Sequence, residues 1–397
     1  MGFLGLDDTD SLSGGCTTEV FYRILNDLPD YAEIVGLPRL VRLYPFAERR
    51  TRGNAAVCAE INIQNDSKNE WISYLEKLWD ENISKLAGHV MDSDHSEREQ
   101  FPSDPGLVWF EKQPNRKFYY SAVRRELKPH RVPQADFSLG GNGLIGATAA
   151  CAWPMSSTTF ESLAYRIADN IGTPRQVCEV TLSEVDAISG TFWSRDPKNG
   201  KGLIAPRGPC PVLFGIRATS PEIAENATDL MLNSKDTEPT SGKITFVTNQ
   251  CSDDHISGIN KGKVKEVNIL KNGHVALNVN GKTWMAFRSS GDVKIMAQSL
   301  KKGDAIEGKG LWKDSSTLHL EKLRISSAVP RSKKRPMCID CDVRTKSMGK
   351  DQGVRCPSCG ERSKDSWEYT PTESLEGYWV QPPVDSRRHL ARPLEWD

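Results

Sequence analysis

Two groups of residues in this chain have types and spacings suited to chemistry. The first lies almost at the N-terminus. Asp7-Asp8-Thr9-Asp10 places three carboxylates in four residues and runs on to Gly14-Gly15-Cys16-Thr17-Thr18. Carboxylate oxygens suit a hard cation such as magnesium, which usually shares its ligands with substrate phosphates. Glycine amides and a helix N-terminus suit phosphate oxygens. An acidic turn that caps a helix is the plainer reading of the same residues. The second group is Cys338-Ile339-Asp340-Cys341 and Cys356-Pro357-Ser358-Cys359, two CxxC pairs separated by fourteen residues. Four thiolates at that spacing make a tetrahedral zinc site of the ribbon type. No ligand position is left open, so such a zinc is structural and folds its segment.

The elements that position the acidic stretch follow from patterning. The apolar run 2–6 predicts a buried strand, and residues 20–28 an amphipathic helix with Thr17 or Thr18 near its cap. Strands follow over 33–43, carrying Arg39 and Arg42 with Pro38 against a central position, and over 55–63. Between them lies a basic turn, 48–54, that holds Arg52 and Asn54. A helix over 70–86, a polar loop over 89–105, a strand over 106–110 and a helix over 118–127 come next. Gly141, Gly143 and Gly146 overlap a GxGxxG pattern ahead of an Ala-rich helix, 147–152. No hydrophobic strand leads into it, which argues against a dinucleotide fingerprint and leaves a phosphate- or substrate-facing backbone. Further on the pattern reads as a helix over 160–171, strands over 176–185 and 212–217, a helix over 221–232 and a strand over 244–248. This alternation predicts an α/β or α+β body of two subdomains.

The chain has 397 residues, enough for two to four domains, with 38% hydrophobic and 26% charged residues. It shows no apolar run of membrane-spanning length and no signal-peptide pattern, so a cytoplasmic protein is expected. Its six scattered cysteines are then reduced and mostly buried. The formal net charge is +0, yet residues 256–364 carry 23 Lys+Arg against 10 Asp+Glu, a net of +13. A basic third on a neutral chain points to a polyanion-binding module. Within it, strands over 263–269, 275–279, 282–287, 305–311 and 317–325, with a short helix over 295–300, have the order of an OB-fold barrel. Lys333, Lys334 and Arg335 lead into the cysteines, and Arg344 and Lys346 lie among them, which makes nucleic acid the expected partner. Arg387-Arg388-His389 in the tail suits either packing on the body or contact with RNA.

Together these residues resemble the archaeal tRNA-Ile agmatidine synthetase (TiaS) family. The resemblance rests on DDTDS and CTT (Asp7 to Thr18), PRLVRLYP (Pro38 to Pro45) and TRGN (Thr51 to Asn54). It continues through GLIGA (Gly143 to Ala147), PRGPCPVLFGIR (Pro206 to Arg217) and TNQ with its following Asp and His (Thr248 to His255). It spans nearly the whole chain and implies a multidomain α+β fold. The order implied is a kinase-like catalytic domain over 1–135, a ferredoxin-like domain over 136–255, an OB-fold over 256–328, a zinc ribbon over 329–370 and a tail over 371–397. The implied reaction joins agmatine to C2 of the wobble cytidine in the CAU anticodon loop of tRNA-Ile, through a phosphorylated cytidine, with ATP cleaved to AMP. Asp7, Asp8 and Asp10 would hold Mg2+, and Thr17 would take up a phosphoryl group. Gly14, Gly15, Arg39, Arg42, Arg52, Asn54, Gly141 and Gly143 would meet ATP phosphates, and the basic residues around the ribbon would meet tRNA. Loops at Asp196, Gly208 to Cys210 and Asp253-Asp254 are candidates for the agmatine guanidinium. Competing readings are a non-catalytic single-strand binder and a phosphotransferase acting on another RNA or small molecule. The oligomeric state stays open.

Overall fold

The computed structural model describes residues 1–10, 15–50, 54–88, 101–206, 208–364, 367–369 and 373–396. Gly14 and Arg52 lie outside the described residues. The chain forms two compact units, Met1–Ser257 with Val384–Asp397, and Gly258–Pro383.

The first unit is built on one eight-stranded sheet. Its elements in chain order are β1 (Gly2–Asp7), α1 (Thr17–Asn26), β2 (Ala32–Arg42), β3 (Ala55–Ile63), α2 (Lys68–Leu78), β4 (Gly106–Phe110) and α3 (Arg116–Arg124). Then come β5 (Phe137–Gly140), α4 (Gly143–Cys151), β6 (Thr159–Arg166), α5 (Glu179–Ala187), β7 (Val212–Ala218), α6 (Pro221–Leu232) and β8 (Thr240–Thr248). The strand order is β5-β4-β1-β3-β2-β8-β6-β7. The two halves meet where β2 runs parallel to β8, Arg39 opposite Val247 and Leu40 opposite Thr248. Strand alternation sorts the core into two layers. Leu4 and Leu6 pack with Phe21 and Ile24 of α1 and Trp71 and Leu75 of α2. Val41, Cys58 and Val108 pack with Tyr119 and Val123 of α3 and Ala147 and Ala150 of α4. Pro38 falls in a register break of β2 between Val35 and Arg39, where no ladder donor is needed.

Three sequence readings are corrected here. Residues 160–171 read as a helix but supply β6, which is buried between β8 and β7. Pairing on both edges outweighs the helix preference of its Glu, Leu and Ala. Residues 176–185 read as a strand but yield α5, whose Leu182 and Val185 face the core one turn apart. A short edge strand, β5, does lead into the glycines at 141–146, pairing Leu139 with Leu107. It is antiparallel and four residues long, unlike the buried parallel strand of a dinucleotide fold.

The second unit holds β9 (Asn260–Ile269), β10 (Val275–Val279), β11 (Lys282–Ala286), α7 (Asp292–Ser299), β12 (Ala305–Trp312) and β13 (Thr317–Ser327). The strands close as β10-β11-β13-β12-β9 around Val275, Leu277, Trp284, Leu318 and Leu323, with α7 between the third and fourth strands. Short two-residue strands beyond it frame the cysteine pairs. No helix among the described residues is long and apolar enough to cross a membrane.

One buried ion pair fixes the end of β6. Arg166 donates from Nε to Glu238 Oε1 at 2.6 Å and from NH2 to Oε2 at 2.9 Å. Both side chains are almost wholly buried. Removing one partner strands the other charge, so Glu238→Ala should cost about 3–5 kcal/mol in urea unfolding. A loss under about 1 kcal/mol would show that water reaches Arg166.

Candidate active site and zinc centre

β1 ends on Asp7, and Asp8 follows with φ 59°, a left-handed turn that Asp tolerates better than most residues. This turn aims two carboxylates into one cavity, which also takes Arg49, Arg125, Lys128 and Asn142. α4 lies close because its leading glycines carry no side chains. A Cβ on Gly146 would stand 1.8 Å from Asp7 Oδ2, one on Gly141 1.8 Å from Asp104 Oδ1, and one on Gly143 2.6 Å from the Asp7 carbonyl oxygen. Gly141 and Gly143 thus serve close packing against acidic residues.

Burial first, and then the charge of neighbouring carboxylates, drives both carboxyls up. Asp7 rises well above the carboxylate range. Asp8 is pushed up to about 8 by burial and then by Asp10. Paired, half-buried carboxylates held at such cost fit a divalent cation, which offsets their repulsion. Asp7, Asp8 and Asp10 do not form one preassembled ligand cage; among the described residues, the four cysteines are the one group of three or more whose ligand atoms converge. Two carboxylates with the remaining positions left to water and phosphate is the usual environment of magnesium.

Asp10 also reaches the first helix. Thr17 opens α1, and its hydroxyl donates to Asp10 Oδ1 at 3.3 Å. The Thr17 oxygen in turn accepts from the Thr9 hydroxyl at 3.2 Å. The acidic loop is therefore tied to a helix N-terminus, and Thr17 is buried there at 4% exposure. Gly15, at φ 74°, makes the turn into that helix.

The remaining candidates separate. Arg39 is buried at 4% exposure, with NH1 donating to the carbonyls of Trp153 and Cys151 at 3.3 and 3.5 Å. Its guanidinium also lies 5.0 Å from the Phe3 ring. These partners make it a scaffold residue in place of the expected phosphate contact. Arg42 pairs with Glu161 at 3.2 Å but also lines a second cavity. Asn54 donates to the Tyr44 carbonyl at 2.6 Å and lines both cavities.

Sequence reasoning misses Asp104, whose amide donates to Asp8 Oδ2 at 3.2 Å and whose carboxylate accepts from the Asn142 amide at 2.8 Å. Arg49, 3.9 Å from the Asp104 carboxylate, reads in the sequence only as part of a basic turn. Neither carries a local signal, because β4 and the β2–β3 connection bring them in from far along the chain.

The segment after β8 proves to be a knot. Asn249 exchanges hydrogen bonds with the Arg42 backbone at 2.8 and 2.9 Å. Gln250 donates to Glu161 Oε2 at 2.7 Å. Asp254 accepts from the Tyr119 hydroxyl at 2.7 Å. That contact commits Asp254, one of the guanidinium candidates, to the scaffold. Asp196 caps its own turn by accepting from the Lys198 amide.

In the second unit the four cysteine sulfurs lie within 4.8 Å of one another, and Cys338 and Cys359 are 3.7 Å apart. Tetrahedral Zn–S bonds of about 2.3 Å need that spacing. The two knuckles match: Asp342 donates to the Cys338 carbonyl and Gly360 to the Cys356 carbonyl, both with positive φ. The amides of Cys359 and Ser358 hold the Cys356 thiol down to about 6, ready to bind metal as thiolate. Beside them Lys333 and Arg335 lie over the Trp367 ring at 4.1 and 3.9 Å. Arg344 donates to the Arg335 carbonyl at 2.7 Å, and Lys334 and Lys346 are exposed.

The fold and the site define a multidomain α+β protein. Its first unit holds a cavity lined by Asp7 and Asp8, and its second a basic five-stranded barrel followed by a zinc ribbon. Residues 3–135 match the TiaS TCKD domain, 141–255 the TiaS FLD domain and 335–370 the TiaS C-terminal zinc ribbon domain. The tRNA-Ile 2-agmatinylcytidine synthetase TiaS of Methanopyrus kandleri is 32% identical, over 99% of this chain and 96% of its own length. That of Pyrococcus horikoshii is 30% identical over 98% and 96%. Crystal structures of apo TiaS (27% identity, TM-score 0.78, 99% and 97% of the two chains) and of TiaS in complex with its tRNA-Ile, AMPCPP and agmatine (26%, 0.76, 99% and 96%) share the fold. The chain belongs to the TiaS family.

Two outcomes are expected. Magnesium at ten times its Kd should stabilise the first unit by about 1.4 kcal/mol, and Asp8→Asn should remove the effect. An equal response from the variant would detach Asp8 from the cation. Metal analysis should find one zinc per chain, lost in Cys356→Ser with collapse of the ribbon's protection in hydrogen exchange but an unchanged melt of the first unit.

Proposed function

We propose that this protein is an ATP-dependent ligase that joins agmatine to C2 of the wobble cytidine of tRNA-Ile, forming agmatidine. The observation that carries the reading is the Asp7–Asp8 cavity at the end of β1, in a chain that matches TiaS relatives end to end. The relatives are synthetases of 2-agmatinylcytidine in a tRNA-Ile, and solved relatives are complexes with a tRNA-Ile, ATP, the ATP analogue AMPCPP and agmatine.

The chemistry demands an acidic cavity of this kind. A cytosine C2 carbonyl is a poor electrophile. A phosphoryl group moved from ATP to its oxygen turns that oxygen into a leaving group. The primary amine of agmatine then attacks C2, and phosphate departs with the oxygen. Phosphoryl transfer needs positioning and charge more than covalent help. Asp7 and Asp8 would hold magnesium, which when bound neutralises phosphate oxygens. Arg49, Arg125 and Lys128 bring cationic side chains to the same cavity. Asp10 accepts the Thr17 hydroxyl hydrogen, which suits it to take that proton if Thr17 receives a phosphoryl group. The anticodon loop is single-stranded, so the base leaves its stack at low cost.

The finer architecture is part of the same reading. β1 to β4 with α1 to α3 would be the kinase-like domain over 1–135. β6, β7 and β8 with α5 and α6 would be the ferredoxin-like one within 136–255. The barrel over 256–328 and the ribbon over 329–370 supply charge for RNA, with the ribbon's zinc structural.

Mass spectrometry of the wobble nucleoside, after incubation with tRNA-Ile, ATP, magnesium and agmatine, should show agmatidine. A phosphorylated nucleoside alone would mark a phosphotransferase, and an unchanged one a mere binder. Asp8→Ala should abolish ATP cleavage to AMP while tRNA is still retained; normal cleavage would refute the metal assignment.

A further inference from the structure

The tail motif Arg387-Arg388-His389, which patterning leaves open between packing and RNA contact, does more than pack. Its backbone is pinned to the first unit. The Cys251 amide donates to the His389 carbonyl at 2.9 Å, and the Asp253 amide to that of Leu390 at 2.8 Å. The Arg392 amide donates to Asp253 Oδ1 at 2.7 Å, and Leu390 is 3% exposed. So anchored, Arg388 lies 4.5 Å over the Phe46 ring. Arg388 and His389 form part of a cavity of about 200 Å³.

Arg42, Arg50, Asn54 and His255 line the rest of its polar wall, and among the described residues no carboxylate does. Glu161 neutralises one charge, but it stands between Arg42 and Arg217 and cannot balance both. Arg42 Nε is buried without a hydrogen-bond partner. His389 is oriented by chemistry. Gln250 uses its amide nitrogen on Glu161, so its oxygen accepts from His389 Nδ1 at 3.2 Å. Burial and the charges of Arg42 and Arg217 keep that imidazole neutral, a mark of the positive field there. Leu43 and Asn54 line this cavity and the acidic one alike.

We infer that the C-terminal tail completes a phosphate-binding site, in which Arg388 joins Arg42 and Arg50 around a phosphate group of a substrate. The group is that of a phosphate ester, which arginine forks recognise. It belongs either to the nucleotide or to the RNA backbone. The inference rests on the ligase reading for the identity of those two substrates.

The test uses the full chain with Arg388→Gln, which removes charge, and Leu390→Ala, which loosens tail packing and keeps charge. Affinities for ATP and for an unmodified tRNA-Ile transcript are titrated directly, without turnover. Arg388→Gln should weaken one of the two by about tenfold, the loss expected for one charge-assisted hydrogen bond. A loss for ATP alone assigns the nucleotide phosphate. A loss for tRNA, with the salt slope reduced by about 1, assigns the RNA backbone. Unchanged affinity for both, or an equal loss in Leu390→Ala, overturns the inference. Arg50→Gln, far from the tail along the chain, must show the same loss in the same arm, which keeps the test decisive if Arg388→Gln unfolds. Absence of agmatidine formation by the unaltered protein would remove the ligase reading and leave these titrations standing.

Discussion

A carboxylate sits in the interior of the first unit between two arginines, and much of the site depends on it. Burial alone would push Glu161 up; the charges of Arg217 and Arg42 outweigh that and keep it ionised. An ion pair of this kind gains little over an apolar replacement, but losing one partner leaves a charge in a medium that cannot solvate it. The arrangement is therefore stiff. Glu161 comes from β6, Arg42 from the end of β2, Arg217 from β7 and Gln250 from the segment after β8, and His389 joins through Gln250. β2 leaves this junction directly into Leu43 and Tyr44, which line the acidic cavity. The wall of that cavity is thus held by a junction on the opposite half of the sheet.

At the cavity itself the chain accepts an unfavourable state. Asp7 lies against α4, and the glycines of α4 and the one just before it stand in that place because a side chain would collide with Asp7 or with Asp104. Stability would be served by moving the acids apart or wetting them. Keeping them close and partly dry makes the protein a poor host for their charge and a good one for a cation. The ribbon shows the same logic in another form. Its buried apolar side chains are few, with Val354 beside Cys338 and Cys356. A segment of that size cannot hold itself by hydrophobic burial, so the metal must supply the folding energy.

Local chemistry is legible in the sequence where the residues that do it are neighbours in the chain. The acidic turn, the two cysteine knuckles, the barrel strands and most body strands stand where patterning puts them, several to the residue. Expectation and structure part where distant contacts decide. β6 and α5 exchange identities because a segment rich in helix formers is paired on both edges, while one rich in β-branched residues is half-exposed. Arg39 reads as a phosphate ligand from its motif, yet carbonyls at the end of α4 and beyond it, more than a hundred residues away, claim its guanidinium. Asp104 is invisible because nothing near it in sequence marks it as the neighbour of Asp8.

The division of charge along the chain fits the two kinds of work proposed for it. Holding a divalent cation among phosphates requires a small number of well-placed carboxylates, and a generally basic body would compete with them by ion pairing. Gripping a nucleic acid requires many cations on exposed surface, where precision counts for less. The acids stand at the end of β1, an interior strand of the first unit's sheet, while the excess of cations belongs to residues 256–364. Within the first unit the exception is the arginine-lined cavity next to the acidic one. A cavity lined by arginines and by no described carboxylate, next to the carboxylate cavity, is what a phosphate-bearing substrate would need if it is to be held at one end by arginines and at the other by a metal.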